Sequence, residues 1–194
     1  MILFKKLKDI ALGKKVGIAF GGGAARGQAH IGVLKVLEEE GIPIDYVAGT
    51  SAGSLIGSLY CSGYSWKDIY DLTKEVKWSD LISFTLPTKG LLNPDKLEKL
   101  LDNLIYKKTF DELLLPFTAV AVDLNSGAEM RLQEGPVAKA VRASCSIPGI
   151  FPPTTIEEQF LIDGGILNSV PANVVAEMGA DFIIGVDLNS DRYQ

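Results

Sequence analysis

The chain has 194 residues, a formal net charge of −5 and a sequence pI near 5.0. This length suits one α/β domain with a single core that buries roughly 70% of the unfolded surface. The acidic balance argues against nucleic acid as the main partner, because such a partner favours a broad basic face. No stretch reaches the ~18 apolar residues of a membrane span. Residues 1–15 also lack the apolar core and cleavage site of a signal peptide, so we expect a cytoplasmic protein.

Residues 1–15 form a basic segment that differs from the rest of the chain. Five lysines and one aspartate give the segment a net charge of +4, which leaves −9 for residues 16–194. Its apolar residues recur at helical spacing, namely Leu3, Phe4, Leu7, Ile10 and Ala11. A basic amphipathic helix can lie on an anionic membrane surface. We expect either such a peripheral membrane contact or a solvated helix packed on the body of the protein.

From residue 16 onward, apolar runs alternate with helical patterns, as is typical of a parallel sheet covered by helices on both faces. The predicted strands are 16–20, 44–48, 117–122, 128–132, 159–162 and 182–188. The predicted helices are 27–40, 54–59, 65–77, 93–105, 137–143 and 171–178. These elements form one domain over residues 16–194. Because α/β domains often finish with a covering helix, we expect a naturally short or truncated C-terminus.

The glycine-rich run at residues 21–27, Gly-Gly-Gly-Ala-Ala-Arg-Gly, follows the first strand and precedes its helix. Such a turn points several backbone N–H groups into a small volume at the positive end of a helix, which favours anions. Two interpretations compete: a phosphate cradle for a dinucleotide, or an oxyanion hole for an acyl intermediate. The dinucleotide pattern Gly-x-Gly-x-x-Gly fails in both frames, because Arg26 or Ala24 occupies a glycine position. We therefore favour the oxyanion hole.

Ser51 lies at the corner between the second strand and the next helix, in the sequence Gly49-Thr50-Ser51-Ala52-Gly53. In the Gly-x-Ser-x-Gly elbow the chain reverses so sharply that side chains two residues before and after the serine clash. The hydroxyl is left exposed at the edge of the sheet. This pattern predicts Ser51 as a nucleophile; the alternative is a helix start whose glycines only permit tight packing.

A serine nucleophile needs a base, and the sequence contains one histidine, His30. The α/β-hydrolase order of serine, carboxylate and histidine fails, because no histidine follows Ser51. We expect His30 to be packed or hydrogen-bonded within the first helix. The base must then be a carboxylate.

Carboxylates at the carboxyl ends of strands are the best candidates for this base, because α/β sheets assemble their sites at that edge. They are Asp123, Asp163 and Asp187. Asp163 is favoured because Gly164 and Gly165 remove neighbouring side chains and permit close approach to another loop. We expect Asp123 to form a turn before a hairpin and Asp187 to cap the last strand.

Cys61 and Cys145 have neither metal-like spacing nor a disulfide-rich setting. We expect two small buried apolar side chains in a reducing compartment and no structural metal. Residues 78–92 contain more apolar side chains than a connecting segment usually does. Three interpretations remain open: the segment borders an acyl-chain channel, forms a lid, or packs in the core.

The motifs together resemble those of the patatin-like phospholipases, including bacterial members and lipase domains of the neuropathy target esterase type. The resemblance covers about residues 14–190 and has four motifs in order. They are the glycine loop, the elbow, the run Arg-Ala-Ser-Cys-Ser-Ile-Pro-Gly-Ile-Phe-Pro-Pro at 142–153, and Asp163-Gly164-Gly165. The resemblance implies a three-layer α/β/α fold with a mainly parallel central sheet. It also implies a Ser-Asp dyad in which Asp163 is the base that touches Ser51 directly.

The family pattern Gly-Gly-Gly-x-Arg/Lys-Gly aligns on residues 22–27, and this implies an oxyanion hole made of the N–H groups of Gly22, Gly23 and Ala24. Ala24 replaces the third glycine, which narrows the hole but keeps the N–H donor. Arg26 either supports the loop or meets a lipid phosphate. The supporting glycines are Gly27, Gly49, Gly53, Gly164 and Gly165.

The implied function is hydrolysis of carboxyl esters in phospholipids or lysophospholipids, with a lipid ester as substrate and no cofactor or metal. Two alternatives are acyl transfer to an alcohol other than water, and a lipid-binding module whose chemistry has lapsed.

Overall fold

The computed structural model describes residues 13–75 and 95–189. The predicted amphipathic helix within residues 1–12, the apolar connection at 78–92 and the predicted helix start at Asn93 lie outside these residues. Lys15, at the end of the basic segment, is described. Its ammonium group contacts the Asp45 carboxylate at 2.8 Å, and its backbone N–H donates to Asp181 at 2.9 Å.

Seven strands form one mixed sheet, in the order β5-β6-β3-β2-β1-β7 with β4 also paired to β3. The strands are β1 (Val16–Phe20), β2 (Tyr46–Thr50), β3 (Phe117–Asp123), β4 (Glu129–Leu132), β5 (Thr154–Ile156), β6 (Gln159–Asp163) and β7 (Phe182–Val186). The pairs β1–β7, β1–β2 and β2–β3 are parallel, whereas β4, β5 and β6 join in antiparallel pairs. Strand β5 was not predicted. The second strand is displaced from the predicted 44–48, because Gly49 and Thr50 still pair with the neighbouring strands.

Six α-helices occur in the described residues. They are α1 (Ala29–Glu39), α2 (Ala52–Cys61), α3 (Trp66–Glu75), α4 (Asp95–Leu104), α5 (Val137–Ser144) and α6 (Ala172–Glu177). Short 3-10 helices cover Ala24–Gln28, Phe110–Glu112 and Gly164–Ile166. The first predicted helix therefore begins as a 3-10 turn inside the glycine-rich loop, and its α-helical part starts at Ala29.

Alternate residues of the sheet face two different cores, as expected for strands buried on both sides. Ile18, Phe20 and Val47 pack with apolar residues of helices α1 to α5. On the opposite face, Ala19 and Ala48 pack with Val174 and Val175 of α6 and with other buried apolar residues. The described elements thus form helix, sheet and helix layers, which confirms the predicted three-layer α/β/α fold.

Strands β2 and β6 lie end to end along one edge of β3. Backbone groups of successive strand residues point to opposite edges in alternation. The Pro116 carbonyl, just before β3, accepts from Val47 of β2, and the Leu124 N–H, just after β3, donates to Phe160 of β6. Because an even number of positions separates Pro116 from Leu124, both bonds leave from the same edge.

The register brings the carboxyl ends of β2 and β6 to neighbouring residues of β3. Thr50 is opposite Val120, and Asp163 is opposite Ala121. β2 runs parallel to β3 and β6 runs antiparallel to it, so the two strands approach each other head to head. Ser51, which directly follows β2, is therefore carried toward Asp163, the last residue of β6.

Candidate active site

Ser51 occupies a tight corner in which glycine is needed on both sides. Its φ of 52° and ψ of −121° lie outside the regions that L-residues favour. A Cβ on Gly49 would lie 2.5 Å from the Gly53 carbonyl oxygen, and a Cβ on Gly53 would lie 2.1 Å from the Phe20 carbonyl oxygen. Since real Cβ atoms do not approach backbone so closely, the elbow requires both glycines.

The backbone of Ser51 is fixed by side chains that sequence reasoning did not assign. The Ser51 N–H donates to the Ser144 hydroxyl at 2.9 Å, and that hydroxyl donates to the Val120 carbonyl at 2.6 Å. Ser54, one turn into α2, donates its hydroxyl to the Ser51 carbonyl at 2.7 Å. Ser144 lies in the run at 142–153, so the motif marked the right segment but not this residue.

The structure brings Ser51 and Asp163 together. Ser51 and Asp163 line the same cavity, and both residues are buried, with 7% and 6% of their surface exposed. The Gly165 N–H donates to the same carboxylate at 2.7 Å. Burial raises the pKa of Asp163 above its ordinary value, and the nearby Ser51 hydroxyl and Gly165 N–H oppose that rise. A carboxylate with a raised pKa is a stronger proton acceptor.

The other two aspartates at strand ends are engaged elsewhere. Asp123 accepts from the Ser126 hydroxyl at 2.6 Å and from two backbone N–H groups, which confirms the predicted turn. Hydrogen bonding, led by the Ser126 hydroxyl, lowers the pKa of Asp123. Asp187 accepts from the Asn189 N–H at 2.8 Å. Neither carboxylate is among the residues that line the cavity around Ser51.

His30 is buried in α1, and its Nε2 lies 2.8 Å from the Gly21 carbonyl oxygen. Its ring packs against Phe20 with the ring centres 4.8 Å apart. Burial lowers the pKa of His30 to about 4, so the imidazole is neutral at physiological pH. The expectation of a packed, hydrogen-bonded histidine is confirmed.

The glycine-rich loop presents fewer unused donors than the sequence predicted. The Gly22 N–H, one of the three predicted oxyanion donors, donates to the Ser169 carbonyl at 2.9 Å and is therefore occupied. The Gly23 and Ala24 N–H groups have no acceptor among the residues that the structure describes. Ala24 adopts a φ of 48° at the start of the 3-10 helix. The candidate hole in this arrangement consists of the Gly23 and Ala24 groups.

A cavity of about 430 Å³ contains both the nucleophile candidate and these donors. Its polar or backbone lining comes from Gly22, Gly23, Ala24, Arg26, Ser51, Asp163, Gly165, Ser169 and Asn189, and its apolar lining from Ile147, Pro148 and Ile166. A larger cavity, of about 560 Å³, lies beside Tyr46 and Phe117 at the opposite end of β2 and β3. We assign the candidate site to the smaller cavity, because it contains Ser51 and Asp163, the predicted nucleophile and base.

Arg26 supports the loop, which is one of its two predicted roles. Its guanidinium donates to the Asn189 side-chain oxygen at 2.6 Å, and the Asn189 amide donates to the Gly22 carbonyl at 2.9 Å. Sequence reasoning did not identify Asn189, because a single polar residue after the last strand gives no motif.

The remaining supporting glycines lie where backbones approach closely. A Cβ on Gly27 would lie 2.7 Å from the Ala52 Cβ, and one on Gly164 would lie 2.4 Å from the Val120 carbonyl oxygen. The Gly165 N–H holds Asp163 directly. These contacts bring the glycine-rich loop and the Asp163 turn onto the elbow.

Cys145 lies beside the candidate nucleophile, with its sulfur 3.9 Å from the Ser54 hydroxyl. Burial, followed by the charge of Asp163, raises the pKa of this thiol to about 12. Burial also raises the pKa of Cys61. No cluster of three metal-ligating side chains occurs in residues 13–75 and 95–189. In the same ranges, no helix is long and apolar enough to cross a membrane.

The chain is similar to proteins of one known family. A family model described as patatin-like phospholipase matches residues 18–176. The chain is 34% identical to a patatin-like phospholipase domain-containing protein of Caenorhabditis elegans and 32% identical to patatin-like phospholipase domain-containing protein 6 of Homo sapiens, over 96% of this chain and 14% of each relative. It is 34% identical to an uncharacterised NTE family protein of Mycobacterium tuberculosis, over 92% of this chain and 50% of that protein. The chain therefore spans half or less of the length of these relatives.

Two solved structures share the fold at low sequence identity. VipD from Legionella pneumophila aligns with a TM-score of 0.61 at 16% identity, over 80% of this chain and 46% of VipD. ExoU from Pseudomonas aeruginosa, solved in complex with SpcU, aligns with a TM-score of 0.55 at 18% identity, over 72% of this chain and 39% of ExoU.

Proposed function

Since the chain belongs to the patatin-like phospholipase family, we propose that it hydrolyses lipid carboxyl esters with Ser51 as nucleophile and Asp163 as general base. The observation that carries this proposal is that Ser51 and the buried Asp163 carboxylate line one cavity together with two unused N–H donors. A serine nucleophile and a carboxylate base in one cavity, with N–H donors alongside, form the arrangement that acyl transfer requires.

In the first half-reaction, the Ser51 oxygen forms a bond to the ester carbonyl carbon while its proton passes to Asp163. The carbonyl electron pair moves onto oxygen, and the Gly23 and Ala24 N–H groups stabilise the resulting oxyanion. When the tetrahedral intermediate collapses, the bond to the leaving alcohol breaks and the alcohol takes the proton from Asp163. The product of this step is an acyl-Ser51 enzyme.

In the second half-reaction, water attacks the acyl carbon and gives its proton to Asp163. Collapse of the second tetrahedral intermediate breaks the bond to Ser51, which regains the proton. The fatty acid leaves, and the enzyme is restored without a cofactor.

An aspartate of ordinary pKa, ~3.9, is a weak base at neutral pH. Burial of Asp163 offsets part of this weakness by raising its pKa. The oxyanion donors supply a second contribution, since one donor is worth on the order of 3 kcal/mol of barrier in other hydrolases. Both effects depend on a site with little water.

We propose phospholipids and lysophospholipids as the substrate class. The family supports a lipid substrate, and Ile147, Pro148 and Ile166 give the cavity an apolar wall beside Ser51. A volume of about 430 Å³ is within the range of small-molecule sites, ~300–1,000 Å³. It is therefore suited to the ester and the adjoining part of one acyl chain.

The proposal is tested with a fluorophosphonate probe and a product assay. Wild-type protein should be labelled by the probe and should release fatty acid from phosphatidylcholine or lysophosphatidylcholine, as measured by mass spectrometry. Ser51→Ala should lose both signals, and Asp163→Asn should lose turnover. Absence of labelling and turnover in the wild type would refute the proposal; activity that survives in Asp163→Asn but disappears in Asp123→Asn would move the base to Asp123.

A further inference from the structure

We infer that His30 and Asn189 are positioning residues, which hold the peptide groups of the glycine-rich loop so that the Gly23 and Ala24 N–H groups face the reacting ester. This inference rests on the proposed function and assigns to it two side chains that do not touch the substrate carbonyl. Three successive peptide groups, between Gly21 and Ala24, set the directions of these N–H donors.

His30 holds the first of these groups, between Gly21 and Gly22. A carbonyl oxygen only accepts, so the 2.8 Å contact requires that Nε2 carries the hydrogen and donates to Gly21. The other ring nitrogen, Nδ1, is buried and has no partner in the described structure. The imidazole therefore makes a single hydrogen bond, and that bond goes to the loop.

Asn189 holds the second group, between Gly22 and Gly23. Its Nδ2 donates to the Gly22 carbonyl at 2.9 Å, and its Oδ1 accepts from Arg26 at 2.6 Å. The backbone N–H of Asn189 donates to Asp187 at 2.8 Å. With three of its groups bonded, the Asn189 side chain has a fixed orientation.

A trans peptide group is planar, and its N–H points opposite to its C=O. Because the Gly21 carbonyl accepts from His30, the Gly22 N–H of the same peptide group points away from His30. There it donates to the Ser169 carbonyl at 2.9 Å. Fixing the Gly22 carbonyl on Asn189 directs the Gly23 N–H in the opposite direction. The third group is fixed within the 3-10 turn, where the Gly23 carbonyl accepts from the Arg26 N–H at 3.0 Å, and this orients the Ala24 N–H.

These bonds are needed because glycine permits peptide orientations that other residues resist. Gly21 to Gly23 form a run without Cβ atoms, so rotation of a peptide group there meets little steric resistance. Loss of the donor on His30 or Asn189 leaves a carbonyl free to turn, and an N–H donor of the oxyanion hole turns with it. The expected effect is on the transition state, where the oxyanion exists, rather than on ground-state binding.

The test compares kcat and KM on a soluble ester, p-nitrophenyl butyrate, for donor-deleting and donor-keeping variants. His30→Leu and Asn189→Asp should each lower kcat by ~10-fold or more, given that a whole oxyanion donor is worth 10²–10³-fold, with KM changed less than about twofold. His30→Gln, whose side-chain amide can donate from a similar position, should recover most of the kcat lost in His30→Leu. The control Asn103→Asp makes the same charge change as Asn189→Asp at an exposed position of helix α4, and it should leave kcat unchanged.

A second measurement separates failure of this inference from failure of the proposed function. Amide hydrogen exchange by NMR should show that the Gly22 N–H, bonded to Ser169, loses protection in His30→Leu and Asn189→Asp and keeps it in His30→Gln and Asn103→Asp. An inactive wild type with this exchange pattern would refute the ester hydrolase but support the positioning role. Unchanged Gly22 protection in Asn189→Asp would overturn the inference. So would equal kcat in His30→Leu and His30→Gln when the wild type is active.

Discussion

Replacing Ser51 by glycine should give a more stable protein than replacing it by alanine. At φ 52° and ψ −121°, any residue with a Cβ is strained, at a cost of order 1–3 kcal/mol. Glycine removes this strain but loses ~0.5–1 kcal/mol more than alanine in backbone entropy on folding. The Ser51 hydroxyl is absent from both variants, so its interactions cancel in the comparison. We expect Ser51→Gly to exceed Ser51→Ala by about 1 kcal/mol in the free energy of unfolding, measured in urea at pH 7.

The control is Ala176→Gly, on the exposed side of helix α6. There the same alanine-to-glycine change is made in ordinary helical backbone and should lower stability by about 1 kcal/mol. The two comparisons therefore have opposite signs. If Ser51→Gly is less stable than Ser51→Ala by an amount similar to the control, the backbone at the elbow is not strained and this account of the corner is wrong.

Three further predictions concern the elbow, the buried carboxylate and the buried imidazole. Gly53→Ala should destabilise the fold by several kcal/mol, since its Cβ would lie 2.1 Å from the Phe20 carbonyl oxygen. The control Gly32→Ala has open space around its Cβ in helix α1 and should stabilise the fold by about 1 kcal/mol. Equal effects of the two substitutions in thermal unfolding would contradict this prediction. Asp163→Asn should raise the free energy of unfolding at pH 7 while abolishing turnover. Burial raises the pKa of Asp163, so the folded wild type loses stability as the pH rises above the ordinary value of 3.8; an advantage of the variant that fails to grow from pH 3 to pH 7 would contradict this. His30 has the opposite pH dependence, because its pKa falls from 6.5 to about 4 on folding. The wild type should therefore lose up to about 3 kcal/mol of unfolding free energy as the pH falls from 6.5 to about 4. His30→Leu should lack this part of the pH dependence in urea titrations.

The parts of the site that the sequence predicted are those whose requirements are local. Gly49 is needed because a Cβ there would meet the Gly53 carbonyl group, only four residues along the chain. The glycines after Asp163 likewise allow a turn that follows the strand directly. Such constraints leave a short pattern of residues that can be read without the fold.

Other parts depend on residues remote in sequence and leave no such pattern. Ser144 acts on Ser51 across 93 positions, and Asn189 acts on Gly22 across 167 positions. The loop pattern also predicted Gly22 as a donor, because the sequence does not reveal that the Ser169 carbonyl occupies its N–H. Which donors of a glycine loop remain unused is decided by the partners that the fold brings to it.

Strand β5 was missed for a local reason. It has three residues, too few to show an alternating pattern. The tight connection to β6 passes through Glu157, which adopts a φ of 53° although it is not glycine or asparagine. Turn prediction depends on those residues to mark positive φ. The hairpin therefore lacked its usual sequence signal, and without that signal the antiparallel direction of β6 was not predicted.

Stability measurements can distinguish a catalytic site from a structural one at this corner. If Ser51 and Asp163 served only packing, their replacement would lower stability, as most substitutions of buried residues do. The structure instead puts Ser51 in strained backbone and Asp163 in a setting that disfavours its charge. Both features oppose folding, and both favour attack on an ester, because the corner places Ser51 in the cavity wall and burial makes Asp163 a stronger base. A gain of stability in Asp163→Asn, and in Ser51→Gly relative to Ser51→Ala, together with loss of turnover, is therefore the result expected of groups retained for chemistry.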